Sequence, residues 1–382
     1  MKICYYCQHV LGIGHFHRSM EICRAFGSHH QVTMIVGGLP ISLDEPSVSI
    51  YQLPGLKMDA EFSMLTPCED LPLDEVKEQR REKLLSFARE YQPDCLIVEL
   101  YPFGRKNFRF ELDPLLALLS EQNCSVFCSL RDILVEKKEG REKFEQRAVT
   151  TLNRFFDGLL IHADPKLVTL EKTFGKTDAI TTDIHYTGFI SPQPRPAARD
   201  RVRKKINLDD RDRLIVASIG SGSVGLELIE ATIRGFNRMV PGRKGTILQL
   251  FAGPYLAETS YQELCKSRSQ HIRVERFSSH FIDWLAAADL SISMAGYNTC
   301  MNVLTTGVPA LMYPFDQNHE QRMRVTRIGS SGNIRLLENT DLLPEKLARS
   351  METMLDRPRF TSSIRLDGAA RTAAIIENHH RP

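Results

Sequence analysis

The sequence predicts an α/β protein of two Rossmann-like domains, each a parallel sheet covered by helices. Apolar runs of strand length alternate with amphipathic helical stretches along the whole chain, which is the pattern of parallel strands joined by crossover helices. The length of 382 residues fits two domains of ordinary size. The alternation is interrupted once, by a proline-rich and basic stretch, and then begins again.

Composition and charge narrow the class of protein further. Hydrophobic residues make up 42% of the chain and charged residues 25%, which is the composition of a folded globular protein. The net charge of +2 provides no field over the whole surface for nucleic acid or for an anionic membrane. We therefore expect a small-molecule partner held by a local site, and no nucleic acid.

The sequence has no pattern typical of export or of a membrane span. Its first residues contain one lysine and an apolar run broken by Gln8 and His9, unlike a secretory signal. No segment approaches the ~18 unbroken apolar residues of a spanning helix. The nine cysteines are expected to be reduced, and the Cys4–Cys7 pair is more simply structural than redox-active or metal-binding. We expect a cytoplasmic protein without a bound metal, for which peripheral membrane contact stays open.

The first half opens with a predicted strand at 2–7, a glycine loop through Gly14 and a helix at 17–26. Further strands are predicted at 31–36, 48–53, 94–99, 124–130 and 158–162. Further helices are predicted at 72–91, 108–122 and 141–156. Together these elements form a first domain over residues 1–190.

The second half begins after residues 191–213, a stretch with three prolines and many basic residues that we interpret as a connector with solvated charges. Strands are then predicted at 214–219, 246–252, 272–276, 290–294 and 310–312. Helices are predicted at 226–239, 261–267, 281–287 and 299–306. The second domain therefore covers 214–355, and residues 356–382 are expected to form a C-terminal helix that packs back toward the first domain.

Two similar halves joined by one connector predict a cleft between them, lined by the loops that follow the strands. One such loop, 218–225, carries glycines between a strand and a helix, where backbone N–H groups bind phosphate. A second glycine turn, with Asn298 and Thr299, begins another helix. Each alone is equally well a structural turn or a helix cap, but the two together favour a diphosphate ligand.

Polar side chains crowd the loop 314–321, which reads PFDQNHEQ and follows a predicted strand. Carboxylate, amide and imidazole groups donate and accept hydrogen bonds, so several hydroxyl groups of one ligand can be bound there. The loop therefore favours a polyol or a sugar as ligand, and a solvated loop is the alternative.

A titratable pair follows two strands of the first domain. His15 comes after the first glycine loop, and Glu99 ends a predicted strand. An imidazole titrates near neutral pH and takes a proton from a hydroxyl group when a carboxylate orients it. Within hydrogen-bond reach the two side chains would form a base and its orienting partner. Arg105, Arg131 and Asp132 also follow strands and are candidates for binding an acceptor, with a structural ion pair as the alternative.

At these positions the sequence resembles a known family. The motifs that carry the resemblance are Gly12-x-Gly-His15-x-x-Arg18, the glycine loop 220–225, FSSHFIDWLAAAD at 277–289, Gly296-Tyr-Asn-Thr299, GVPALMYP at 307–314, and Gln321. Their order and spacing are similar to those of glycosyltransferases with the GT-B fold. Within that fold the sequence is most similar to family 28, which includes the peptidoglycan N-acetylglucosaminyltransferases.

The resemblance implies an inverting, metal-independent hexosyltransferase that moves a sugar from a nucleotide sugar, typically a UDP-sugar, to the hydroxyl group of a small-molecule or lipid acceptor. The nucleotide sugar is then a substrate, and no cofactor is needed. The acceptor belongs to the first domain and the donor to the second, with His15 as catalytic base and Glu99 as its partner. The resemblance assigns residues to four parts of the ligands. The donor diphosphate is assigned to Gly220, Ser221, Gly222, Ser223, Gly296, Asn298 and Thr299, and the base and ribose are assigned to Phe277, His280, Phe281 and Asn302. The donor sugar is assigned to Asp316, Gln317 and Gln321, and the acceptor is assigned to Gly12, Gly14, Arg105, Arg131 and Asp132.

One position departs from the family pattern and leaves the nucleotide open. Asn302 stands where family members usually have a glutamate that accepts hydrogen bonds from the ribose hydroxyls. An amide accepts fewer such bonds, so ribose binding is expected to be weaker or the nucleotide to differ, and Asn302→Glu should strengthen binding. Two other functions stay open: a nucleotide-sugar hydrolase of the same fold, which shares the GxGHxxR opening, and a non-catalytic nucleotide-sugar binder.

Overall fold

The computed structural model describes residues 1–8, 14–38, 46–58, 64–132, 140–243, 245–315, 319–329 and 333–380. The chain divides into two units. Unit 1 contains Met1–Ile190 together with Asp367–Pro382, and unit 2 contains Ser191–Leu366. Each unit is built on a parallel sheet with helices between the strands, so the predicted fold class is confirmed.

Unit 1 contains a seven-stranded parallel sheet and one short hairpin. Its strands are β1 Lys2–Cys7, β2 Gln31–Val36, β3 Val48–Gln52, β4 Leu56–Met58, β5 Leu65–Pro67, β6 Cys95–Glu99, β7 Ser125–Arg131, β8 Gly158–His162 and β9 Asp183–Tyr186. The sheet order is β3-β2-β1-β6-β7-β8-β9, and β4 pairs antiparallel with β5 apart from it. The strands β1 and β6 are buried along almost their whole length, which explains why their sequences are continuous apolar runs.

The helices of unit 1 connect these strands. They are α1 Gly14–Ala25, α2 Leu73–Tyr91, α3 Arg109–Leu119 and α4 Arg141–Phe155. The apolar face of α1 buries Phe16, Met20 and Ile22 in a core that also contains Tyr5 of β1 and Ile97 of β6. This packing holds the first turn of α1 beside the strand that precedes it.

Unit 2 contains a six-stranded parallel sheet, in the order β12-β11-β10-β13-β14-β15. Its strands are β10 Arg213–Ser218, β11 Thr246–Phe251, β12 Ile272–Glu275, β13 Leu290–Met294, β14 Ala310–Tyr313 and β15 Ile334–Leu336. Its helices are α5 Ala198–Lys205, α6 Leu226–Met239, α7 Glu258–Cys265, α8 Phe281–Ala287, α9 Tyr297–Thr306, α10 His319–Gly329 and α11 Pro344–Leu355. The helices α6 and α11 pack together and bury Phe236 and Met351 in the core of the unit.

In each sheet the strands that follow the first strand are added on one side of it, and the later strands are added on its other side. In unit 1 this reversal lies between β1 and β6, where Tyr6 stands opposite Val98. In unit 2 it lies between β10 and β13, where Ser218 stands opposite Ser293. Open α/β sheets bind ligands outside the carboxyl ends of the strands at such a point. The loops after these four strands are therefore the first place to look for a site in each unit.

Six elements are absent from the sequence prediction: β4, β5, β9, β15, α5 and α10. The strands β4, β5 and β15 have only three residues each, too few to give a periodic pattern. The helix α5, with the sequence ARDRVRKK, is almost entirely charged and lacks the apolar stripe that indicates a helix. Within the described ranges, no helix has the length and apolar character that crossing a membrane requires.

Residues 191–213, interpreted from the sequence as a solvated connector, lie in unit 2, and several of their charges have partners there. Arg195 Nε donates to Asp283 Oδ2 at 2.6 Å, and the backbone N–H of Arg195 donates to Oδ1 at 2.9 Å. Arg199 Nη1 donates to Ala287 O at 2.9 Å. These bonds join α5 and its flanks to α8, so the stretch is a structural part of unit 2.

The C-terminal segment divides between the two units. Phe360 N donates to Gly307 O at 3.0 Å, which holds the chain on unit 2. Gly368 N donates to Phe189 O at 3.0 Å, and the last helix, α12 Gly368–His379, packs on α1 of unit 1. The chain therefore finishes on unit 1, whereas the residues before α12 stay with unit 2.

Gly307 is a position where one added methyl group should destabilise unit 2. Its φ is +65°, and a Cβ atom there would overlap Phe360 O. We expect Gly307→Ala to lower the free energy of unfolding by about 1–3 kcal/mol, from left-handed strain together with this clash. Trp284 is the only tryptophan and is buried in α8, so its fluorescence during urea unfolding reports on unit 2.

The control for this prediction is Gly242→Ala, because no atom lies within 4 Å of a Cβ built at Gly242. It should change the free energy of unfolding by less than about 0.5 kcal/mol. Equal losses in the two variants would contradict the role given to the Gly307–Phe360 contact.

Candidate functional site

In unit 1, His15 and Glu99 meet at the point where the strand order reverses. His15 is the second residue of α1, which follows β1, and Glu99 is the last residue of the neighbouring strand β6. His15 Nδ1 lies 2.6 Å from Glu99 Oε1. The Glu99 side chain is fully buried, whereas 30% of the His15 side chain is exposed. A buried carboxylate therefore orients an imidazole that a ligand can reach.

Two arginines share the same carboxylate. Arg18 Nη2 donates to Glu99 Oε1 at 2.7 Å, and Arg105 donates to Oε2 from Nη2 at 2.8 Å and from Nε at 3.2 Å. The Arg18 and Arg105 side chains are buried. Arg18 lies three residues after His15, so both face the same side of α1. The sequence predicted the pair His15–Glu99 and gave Arg105 a place at the acceptor, but it assigned no role to Arg18.

Charge and burial set the protonation states of this cluster. Burial alone would raise the pKa of Glu99, but His15, Arg105 and Arg18 outweigh it and hold that pKa well below its usual range. Burial lowers the pKa of His15 from its usual value of 6.5 to about 4; Glu99 opposes this shift, and Arg105 and Arg18 add to it. At neutral pH Glu99 is therefore ionised and His15 is neutral.

The tautomer of His15 follows from these states. An ionised carboxylate only accepts hydrogen bonds, so Nδ1 of His15 carries the proton and donates it to Glu99. The lone pair then lies on Nε2, which makes no hydrogen bond to any described residue. A neutral imidazole with its Nδ1–H fixed and Nε2 open is able to take a proton from a hydroxyl group.

In unit 2, the glycine loop follows β10 and leads into α6. Gly222 has a φ of +88°, and a Cβ there would lie 2.6 Å from Ala252 O of the next loop. Only a glycine therefore allows this loop to pack so closely on its neighbour. Gly220 and Ser223 stay exposed, and Ser221 Oγ lies 3.2 Å from Ser223 Oγ. The loop thus presents backbone and hydroxyl groups to solvent at the start of a helix.

A second helix of unit 2 begins beside that loop. The helix α9 follows β13, and its first intrahelical hydrogen bond runs from Cys300 N to Gly296 O. The backbone N–H groups in the first turn of a helix point toward its N-terminus. Because β10 and β13 are neighbours, the N-termini of α6 and α9 lie at the same edge of the sheet. Two positive helix ends at one place suit a ligand with two phosphate groups.

Several known proteins are similar to this chain. Residues 216–374 match the family model described as Glycosyltransferase family 28 C-terminal domain. An uncharacterized glycosyltransferase of Methanosarcina mazei is 20% identical over 310 residues, which are 77% of this chain and 75% of the relative. The UDP-N-acetylglucosamine–N-acetylmuramyl-(pentapeptide) pyrophosphoryl-undecaprenol N-acetylglucosamine transferase of Clavibacter michiganensis is 26% identical over 199 residues, or 50% of this chain. The match spans about half of the Clavibacter protein, 52% of its length.

Solved structures are similar along nearly the whole chain. Acinetobacter baumannii MurG has a TM-score of 0.60 at 14% identity, with 99% of this chain and 100% of that chain covered. A UDP-glucosyltransferase from Polygonum tinctorium has a TM-score of 0.60 at 12% identity, with 99% and 93% covered. These structures show the GT-B fold, and the relatives give the class of enzyme. The chain is a glycosyltransferase with the GT-B fold, and its residues 216–374 resemble the C-terminal domain of family 28.

In this GT-B glycosyltransferase, Asn302 is largely buried and is hydrogen-bonded within unit 2. Only 9% of the residue is exposed, and its Oδ1 accepts a hydrogen bond from Ser191 Oγ at 3.4 Å. Thr305 Oγ1 in turn donates to Ser191 Oγ at 2.7 Å. The residue that the resemblance assigned to the ribose is thus bound to the first residue of unit 2, and little of it is open to a ligand.

The residues assigned to the nucleotide base differ in accessibility. Phe277, in the loop after β12, is 49% exposed, and His280 is exposed beside it. The ring of Phe281 packs edge-on against Phe251, with 5.5 Å between the ring centroids. Phe277 and His280 are therefore accessible to a ligand, whereas Phe281 takes part in the packing of α8.

Tyr255 is an exposed aromatic residue that the sequence pattern did not indicate. Tyr255 N donates to Ser221 O at 2.8 Å, and Gly253 N donates to Arg276 O at 2.8 Å, so the loops after β10, β11 and β12 lie side by side. The Tyr255 residue is 49% exposed. An aromatic ring in such a loop offers a face for stacking a nucleoside. The sequence could have indicated Tyr255, because it is an aromatic residue two positions after Gly253 in a loop that follows a predicted strand.

The remaining predicted residues lie at several places. Gly14 begins α1, Arg131 ends β7, and Asp132 is buried directly after it. Gln321 Oε1 accepts a hydrogen bond from Phe315 N at 2.9 Å, so this side chain holds the loop after β14. Three predicted residues lie outside the described part of the chain, namely Gly12, Asp316 and Gln317. Over the described ranges, no three His, Cys, Asp or Glu side chains are grouped to hold a metal ion.

Glu99→Gln should strongly destabilise unit 1, because the variant leaves two buried guanidinium groups without their carboxylate. We expect a loss of about 3–5 kcal/mol in the free energy of unfolding, as for other buried ion pairs that lose one partner. Circular dichroism during urea unfolding measures this loss. The control is Asp113→Asn, which removes a carboxylate from the half-exposed Arg109–Asp113 pair and should cost less than about 1 kcal/mol. A similarly small cost for Glu99→Gln would contradict the buried-charge account.

Proposed function

We propose that this glycosyltransferase is an inverting, metal-independent enzyme that moves a sugar from a nucleotide-sugar donor to an acceptor hydroxyl group. The observation that carries the proposal is the pair His15–Glu99, with an open Nε2 at the carboxyl ends of two neighbouring strands. Unit 1 would supply the base and bind the acceptor. Unit 2 would bind the donor through its glycine loop and the N-terminus of α9.

The proposed reaction is one in-line displacement. His15 Nε2 takes the proton of the acceptor hydroxyl as its oxygen attacks the anomeric carbon of the donor sugar. The new carbon–oxygen bond forms on one face, and the bond to the diphosphate breaks on the other with its electron pair leaving on the phosphate oxygen. The anomeric configuration is therefore inverted. Glu99 keeps the imidazole oriented and stabilises it once it is protonated.

The leaving nucleoside diphosphate carries the charge that must be stabilised. The backbone N–H groups at the start of α9 and the glycine loop before α6 lie together at one edge of the sheet. Fixed donors at helix N-termini favour phosphate oxygens and need no reorganisation as charge develops. They support donor binding without a metal ion, in a protein whose net charge of only +2 gives no general attraction.

The donor and acceptor classes are proposed from the relatives. The name of the Clavibacter relative gives UDP-N-acetylglucosamine as donor and a pyrophosphoryl-undecaprenol compound as acceptor. We propose a UDP-sugar donor and a lipid-linked or small hydrophobic acceptor, used from the cytoplasm at a membrane surface. The burial of Asn302 favours ribose contacts from other residues, while Tyr255 and Phe277 have exposed rings on which the base could stack.

His15→Gln should reduce kcat/KM by about 10²–10⁴ and leave the dissociation constant of the donor unchanged, because the base belongs to unit 1. With a His15 pKa of about 4, kcat/KM of the native enzyme should stay level from pH 8 to pH 5 and fall below that, as the base becomes protonated. An ordinary histidine would be almost fully protonated at pH 5. Release of nucleoside diphosphate measures the rate.

The control for the base is His17→Gln, which changes an exposed histidine on the same helix and should keep the native rate. Native turnover in His15→Gln would overturn the proposal. Analysis of the product separates the two enzyme classes: a glycoside supports transfer, whereas free sugar formed in the presence of acceptor would identify a hydrolase.

Gly222→Ala should weaken binding of a nucleoside diphosphate at least about ten-fold, because the added Cβ would push the glycine loop off Ala252. Gly220→Ala is the matched control: Gly220 has a similar φ of +65° but no atom within 4 Å of its Cβ, so the loss should be smaller. Calorimetry with UDP measures both, after a thermal-shift comparison of UDP, GDP, dTDP and CDP. Failure of all four to raise the melting temperature would contradict a nucleotide-sugar donor.

A further inference from the structure

The cluster formed by Glu99, His15, Arg18 and Arg105 contains one more positive charge than negative charge when His15 is neutral. Glu99 supplies one negative charge, and Arg18 and Arg105 supply two positive charges. Arg18 and His15 both contact Oε1, while Arg105 alone takes Oε2, through Nε at 3.2 Å and Nη2 at 2.8 Å. In a lone histidine–carboxylate pair the negative charge favours the protonated imidazole. Here a second guanidinium group works against it.

The backbone that carries Arg105 is built for this position. Arg105 has a φ of +55° and Leu100 has a φ of +66°, which are left-handed conformations that cost energy in residues other than glycine. The loop is closed by bonds from Leu100 N to Ser129 O at 2.8 Å and from Gly104 N to Leu100 O at 2.7 Å. The Arg105 side chain keeps only 9% of its surface exposed. A charge on a merely solvated loop would need neither this backbone nor this burial.

We propose that Arg105 is a positioning residue that fixes the Glu99 carboxylate and keeps His15 in its neutral, proton-accepting form. The inference rests on the proposed role of His15 as the base. The charged groups that face His15 are Arg18 from α1, Glu99 from β6 and Arg105 from the loop after β6. Of these, Arg105 alone contacts Oε2, so its removal frees one carboxylate oxygen and removes one positive charge that opposes protonation of the imidazole, while Arg18 stays paired with Oε1.

The test compares Arg105→Gln with the native protein in two measurements. Nuclear magnetic resonance of the imidazole, assigned with His15→Gln, should show the His15 pKa raised by about one unit or more in the variant. The pH at which kcat/KM falls on the acid side should rise by the same amount. The matched control is Arg109→Gln, four residues further along the chain and paired with Asp113 at the surface, which should move neither. An unchanged His15 pKa in folded Arg105→Gln overturns the proposal.

Arg105→Lys separates charge from geometry and also serves if Arg105→Gln does not fold. A lysine keeps the positive charge but cannot make the two bonds from Nε and Nη2. We expect the pH at which kcat/KM falls on the acid side to stay unchanged while kcat falls several-fold. A rise of that pH by one unit in Arg105→Lys would contradict the charge argument. If His15→Gln keeps native turnover, the proposed catalytic function fails, whereas the resonance titration still decides whether Arg105 controls the protonation of His15.

Discussion

The buried carboxylate of Glu99 is the interaction on which the site in unit 1 depends. It joins three parts of the fold: α1 through His15 and Arg18, the strand β6 that carries Glu99 itself, and the loop that carries Arg105. A buried charge is tolerated only when it is paired and hydrogen-bonded, and here both carboxylate oxygens are occupied. The same bonds that satisfy the charge also fix the tautomer of the imidazole. Stability and chemistry therefore rest on one group.

The candidate phosphate site of unit 2 is formed by backbone geometry. The packing of Gly222 against Ala252 brings the loop after β10 close to the next loop, and the start of α9 lies beside it at the same sheet edge. Helix N-termini and backbone N–H groups then act as fixed partial charges. Backbone N–H groups keep their partial charges at every pH, whereas a histidine or a lysine loses its charge when it is deprotonated, so the proposed donor binding would not follow the protonation of His15.

Much of this arrangement can be predicted from the sequence. The strand at β1, the helix at α6 and the placing of His15 and Glu99 after neighbouring strands follow from apolar periodicity and from the rule that parallel strands end at one edge. The two glycine turns are visible as glycines between a strand and a helix. Residue types and local periodicity are sufficient for these features, because each depends on a few neighbouring residues.

The rest depends on contacts between distant parts of the chain, which local patterns do not contain. The sequence left Arg105 open between an acceptor contact and a structural ion pair and gave Arg18 no role, and only the fold brings both to one carboxylate. The helix α5 looks like a solvated linker because most of its residues are charged, and its bonds to α8 appear only in the folded chain. Asn302 looks like a ribose ligand by position, and its bond to Ser191 appears only in three dimensions.

The most direct test of the account is a resonance titration of His15 in the native protein, read at both ring nitrogens. The account predicts a midpoint near pH 4 and, at pH 7, a neutral ring with the proton on Nδ1, where Glu99 accepts it. A midpoint near the ordinary value of 6.5, or a proton on Nε2 at neutral pH, would contradict it.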